Sequence, residues 1–124
     1  MRILALVFFG GGLGSLLRYL VHRFFLWVGF ANFPYATFIV NIVGCFFIGF
    51  FVLYTERYAN QGAQWRLFLV TGLCGGFTTF SAFSFENVQL INDQRVFLFL
   101  AYTIGSVALG IIATYCGLWA ARSV

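Results

Sequence analysis

The sequence predicts an all-α integral membrane protein with four transmembrane helices. Of its 124 residues, 62% are hydrophobic. Only 8% are charged. The apolar residues also fall into four blocks, separated by short turn-forming or polar segments. A soluble globular domain is about half apolar and about a quarter charged, so this chain has too little polar surface to cover a core facing water. A soluble enzyme, a disordered tail and a secreted disulfide scaffold are excluded. Four helices of roughly 20 residues use most of the length, which leaves one transmembrane domain over residues 1–124 and no room for an extramembrane domain.

The first span covers residues 3–28. Its apolar start imitates a signal peptide, but no small-residue cleavage pattern follows and the apolar character resumes after Arg18, so a retained helix is expected. Gly10 and Gly14 form a GxxxG, which lets another helix approach closely. Residues 29–35 form a turn, with the single proline, Pro34, just before the second span at 36–54. Glu56-Arg57-Tyr58-Ala59-Asn60-Gln61 is a polar loop. The third span covers 66–85, residues 87–95 form a second polar loop, and the fourth span covers 96–121. No internal repeat relates the spans, so any symmetry must come from a second copy of the chain.

All seven cations are arginines, and the net charge is +4. They are scattered, with no basic run, so no nucleic-acid partner is expected. Four spans put Arg2, Arg57, Arg66 and Arg122 on one side and Arg23 and Arg95 on the other, joined there by Arg18 if it points that way. This bias is too small to fix orientation by the positive-inside rule. It is compatible with insertion both ways, and so with an antiparallel homodimer, as well as with a single orientation. Cys45, Cys74 and Cys116 stand singly in apolar stretches and His22 is the only histidine. No zinc ligand set exists, and the cysteines read as packing residues.

Polar groups inside a membrane are costly and mark candidate sites. Thr37, Asn41 and Gly44 share one face of the second span, which either lines a polar path or makes an interhelical hydrogen bond. The third span carries Gly75-Gly76-Phe77-Thr78-Thr79-Phe80-Ser81 near its middle. Paired glycines followed by hydroxyl residues weaken a helix there. A break at Gly75 to Thr78 would free backbone carbonyls, as in transporters that build ion sites from helix ends; the alternative is a continuous helix whose glycines only pack. Two antiparallel copies would gather four such oxygens on their two-fold axis, a cage for a small hard cation. Phe80 and Phe83 share a face, either as packing or with electropositive ring edges turned to an anion. In the fourth span Tyr102, Ser106 and Gly110 make a stripe beside Thr103 and Thr114, either a donor track or hydroxyls bonded to their own helix. Arg18 is either a snorkelling interfacial cation or an electropositive mouth. Glu86 is either a helix-end charge or the partner of a donor at a pore mouth.

The motifs Gly11-Gly12-Leu13-Gly14-Ser15-Leu16-Leu17-Arg18-Tyr19, Asn41-Ile42-Val43-Gly44 and Gly75-Gly76-Phe77-Thr78-Thr79-Phe80-Ser81-Ala82-Phe83 resemble those of the small fluoride channel family, Fluc or CrcB, along nearly the whole chain. The resemblance implies an antiparallel, dual-topology homodimer in the bacterial inner membrane, with two pores that export fluoride passively. It implies that Phe80 and Phe83 line the path with ring edges, with Asn41 nearby, and that Tyr102 and Ser106 lie on a polar track. It implies a structural, non-transported sodium ion held by the main-chain carbonyls of Gly75 and Thr78 of both subunits. At Gly110 this chain has no hydroxyl, where members of the family can carry Ser. Compact donors suited to small, tightly hydrated fluoride are available from Asn41, Thr79, Ser81, Tyr102 and Ser106, with Arg18 in the vestibule. The competing reading is a proton-coupled exporter of the small multidrug resistance type. That chemistry needs a carboxylate in the first span, and none is present.

Overall fold

The computed structural model describes residues 1–30, 32–57 and 62–124. Four helical segments in it are long and apolar enough to cross a membrane. Helix α1 (Arg2–Val28) ends at Gly29, whose φ of 82° lets its own amide close back on the Phe25 and Leu26 carbonyls. Helix α2 (Tyr35–Arg57) starts directly after Pro34, which has no amide to leave unpaired at a helix start. The third span runs over Gly62–Asn92 in pieces: α3 (Gly62–Arg66), a π-helical stretch (Leu67–Cys74), α4 (Gly75–Phe77) and α5 (Phe80–Asn92). The last span is α6 (Val96–Arg122). Tyr58 to Gln61 of the polar loop after the second span, and Ala31 of the first turn, lie outside the described residues.

Helix α2 packs along α6, and α1 packs along the π-helical stretch and α4. Glycine sets how close α1 comes. A Cβ on Gly14 would fall on the Leu73 carbonyl oxygen, and one on Gly76 would fall on that of Gly11. The GxxxG of α1 is therefore a backbone-to-backbone contact with the third span. Few side chains are fully buried, Val40, Thr37 and Tyr102 being the largest. Most large apolar side chains, such as Phe8, Phe97 and Trp119, point outward.

Two sequence expectations are corrected here. The segment 87–95 is not a loop: α5 continues to Asn92, and only residues 93–95 turn. Asn87 stays helical because both ends of its amide are satisfied. Its Nδ2 donates to the Phe83 carbonyl at 2.9 Å, and its Oδ1 accepts from Thr103 at 2.9 Å. The interruption of the third span also lies later than the glycines. Gly75 and Gly76 are helical, and the chain becomes extended at Thr78 (φ −77°, ψ 156°) and Thr79 (φ −150°, ψ 117°). Gly76 serves close packing against Gly11, whereas the break falls where side chains offer the backbone other partners.

Candidate functional site

Asn41 organises the break. Its Oδ1 accepts from the Thr79 amide at 2.8 Å, and its Nδ2 donates to the Thr79 carbonyl at 3.1 Å. The Asn41 amide thus pairs with both polar groups of one residue, as a neighbouring strand would. Thr79 then caps α5, its Oγ1 accepting from the Ala82 amide at 3.2 Å and sharing a hydrogen bond with Ser81 Oγ at 3.1 Å. Regular helix geometry would close the Thr79 amide on the Gly75 carbonyl and the Ala82 amide on the Thr78 carbonyl. Both amides are diverted, so both carbonyls lose their helical donors. Arg18 Nη1 reaches the Thr78 carbonyl at 3.5 Å, and Ser15 Oγ reaches that of Gly76 at 3.5 Å. These are long, weak contacts.

Asn41, Thr79, Phe80, Phe83 and Ser106 line one groove of about 260 Å³, together with Cys45 and Thr78. The Phe80 and Phe83 rings lie 5.8 Å apart and tilted by 40°, and Phe83 is 5.1 Å from Tyr102. The row of rings ends at a carboxylate. Glu86 accepts from Tyr102 OH at 2.7 Å on one oxygen and from Thr37 Oγ1 at 2.6 Å on the other. Thr37 and Tyr102 are both fully buried. Glu86 also borders a larger cavity of about 450 Å³ at the α1–α2 turn, whose lining includes His22, Asn32, Asp93 and Arg95. It therefore stands between this cavity and the aromatic row.

The expected residues divide by what they touch. Tyr102 gives its single hydroxyl hydrogen to Glu86, not to its own helix. Ser106 Oγ is buried and without a partner among the described residues. Thr114 does bond its own helix, donating to the Gly110 carbonyl at 3.0 Å. Gly110 faces Cys45, whose sulfur lies 3.4 Å from the place a Cβ would take. Arg18 is half-buried beside the break instead of standing at a helix end. Gly75 is exposed. Sequence reasoning left open the pairing of Glu86 with Thr37 and Tyr102; the signal was the helical register that sets Thr37 one turn from Asn41. It gave no sign of the π-helical stretch, which is a backbone adjustment without a residue signature of its own.

Four apolar spans, one of them interrupted beside a largely apolar, aromatic-lined groove that Asn41, Thr79 and Ser106 border, define a multi-pass helical membrane protein with polar side chains gathered at an intramembrane break. Comparison with known proteins agrees. Residues 5–118 match the family model described as CrcB-like protein, Camphor Resistance (CrcB), and the chain belongs to that family. It is 49% identical over 119 residues to the fluoride-specific ion channel FluC of Phocaeicola vulgatus, covering 96% of this chain and 98% of that one. It is 44% identical over 124 residues, the full length of both, to the protein of the same name from Flavobacterium psychrophilum. The namesake from Agrobacterium fabrum is 43% identical over 121 residues, 98% of this chain and 97% of its own.

Proposed function

We propose that this chain is a fluoride-selective channel that lets the anion leave the cell down its gradient. The observation that carries the reading is near full-length similarity to relatives named fluoride-specific ion channels, in a chain whose groove has the chemistry such an ion needs. Fluoride is small and strongly hydrated, so a pore must replace its water with compact donors. The unpartnered Ser106 hydroxyl, the second N–H of Asn41 and the hydroxyls of Thr79 and Ser81 are within the proposed path. The edges of Phe80 and Phe83 add positive quadrupole without mobile charge. Tyr102 and Thr37, held by Glu86, continue the path to the mouth. No carboxylate lies in α1, which disfavours proton-coupled export.

The path is completed by an antiparallel second copy. Phe80 is 79% exposed in the single chain, and Thr71, Gly75 and Ser81 are exposed beside it. Exposed polar groups at the break, such as the Ser81 hydroxyl, are unfavourable against hydrocarbon, and a second copy of the same face would cover them, with lipid against the apolar outer faces. The Gly75 and Thr78 carbonyls, freed at the break, suit a structural sodium ion shared between the copies, because main-chain oxygens are the donors hard cations take. Bound there, sodium would supply the positive charge these oxygens otherwise lack. Similarity to bacterial relatives supports a bacterial inner membrane as its location. The test is anion efflux from liposomes containing purified protein. Fluoride is expected to escape quickly and chloride to be retained; equal release of both would overturn the assignment.

A further inference from the structure

We propose that Arg18 competes with the structural cation: its guanidinium holds the Thr78 carbonyl when the cation is absent and is released toward the anion mouth when the cation binds. The proposal rests on the sodium site set out above and deepens it. Three observations place Arg18 there. The amide that would pair with the Thr78 carbonyl in a helix, that of Ala82, is taken by the Thr79 hydroxyl. The nearest donor that replaces it is Arg18 Nη1, at 3.5 Å. The α1 backbone is brought to this spot by Gly14 and by Gly11 against Gly76, and Ser15, one turn before Arg18, meets the carbonyl of Gly76.

The contact is long, so it is easily given up. A cation ligated by the same oxygen would stand beside the guanidinium, and two like charges in a poorly screened site repel. One of them must leave. Arg18 has a flexible stem and is half-buried, so it can swing to the side where anions enter. Cation binding and the positive charge of the mouth are thereby linked, and linkage is reciprocal. Removing the guanidinium removes the competitor, and the cation should bind more tightly.

The experiment uses the full chain, purified in a sodium-free buffer with a large organic cation and titrated with sodium chloride. The readout is the thermal stability of the dimer, not ion flux. Wild-type protein is expected to gain stability with sodium. In Arg18→Gln the sodium concentration giving half the gain should fall by about tenfold, within the range usual for coupled sites. Arg18→Lys, whose ammonium has a shorter reach, should fall between the two and serves as the test if the Gln variant does not assemble. A sodium-dependent wild type with an unchanged or higher half-point in the assembled variant overturns the competition while leaving the sodium site standing. A wild type indifferent to sodium overturns the site itself, and the competition with it.

Discussion

Asn41 does two things that pull in different directions. Its carbonyl and one N–H hold the Thr79 backbone in extended form, and its second N–H is the donor it would offer on the proposed anion path. Asn41→Ala would leave the Thr79 amide and carbonyl unpaired, at about 1–3 kcal/mol for each buried group. The expected result is a marked drop in thermal midpoint together with loss of flux. Asn41→Asp keeps the acceptor for the Thr79 amide but puts negative charge on the proposed anion path. It should recover part of the stability and none of the flux, a split readable by comparing thermal unfolding with liposome efflux. The phenyl rings pose a different question. Phe80→Ile and Phe83→Ile keep apolar bulk and remove the electropositive edge. Both should slow fluoride efflux while the dimer survives size-exclusion chromatography; wild-type efflux in both would make the rings ordinary packing.

At the scale of elements, the packing of α1 against the π-helical stretch depends on absent side chains. Gly14→Ala would drive a methyl into the Leu73 carbonyl and the Phe77 amide. Overpacking of this kind costs about 1–3 kcal/mol, and backbone atoms yield less readily than side chains. The variant should lose thermal stability, whereas Gly12→Ala, with nothing within 4 Å of its Cβ position, should not. Four apolar spans were legible from composition alone, because the length of a hydrocarbon-crossing helix is fixed by the bilayer. The end of the third span was not. Asn87 reads as a loop residue until Thr103 of another helix is known to complete its hydrogen bonds. The place of the break was misjudged for a similar reason. Helix weakness in Gly75-Gly76 is local, but the break falls where Asn41, distant in sequence, supplies the alternative partner. The polar site residues were legible as types that lipid tolerates poorly, and Phe80 and Phe83 only through the family motif; the pairing of the polar ones, above all Glu86 between Thr37 and Tyr102, is a property of the fold.

For the whole molecule the open question is how the chain sits in the bilayer. The structure refines the arginine balance. Arg57 Nη2 reaches the Arg122 carbonyl at 3.3 Å and Arg66 pairs with Glu56 at 3.4 Å, which gathers these charges at one end. At the other end Arg95 donates to the Asn32 carbonyl at 2.7 Å. Arg18 lies beside the interruption of the third span and so drops out of the count. Arg2, at the start of α1, stands with the first group by topology, and Arg23 with Arg95. The excess is four against two, one of the four already neutralised in part by Glu56. So small a difference gives the insertion machinery little to act on. Both orientations should therefore arise from one sequence, as an antiparallel dimer requires. A tag on the C-terminus should be labelled by a membrane-impermeant reagent on about half the molecules in intact cells, and on all of them after permeabilisation. If every tag faced one side, the antiparallel pair would have to be given up, and the exposed Phe80 face would need a different cover. Adding arginines to the connection between the second and third spans should push the population to one orientation. Efflux should then collapse when that single-orientation variant is expressed alone. It should return on co-expression with a variant biased the opposite way, because only that mixture can again form an antiparallel pair.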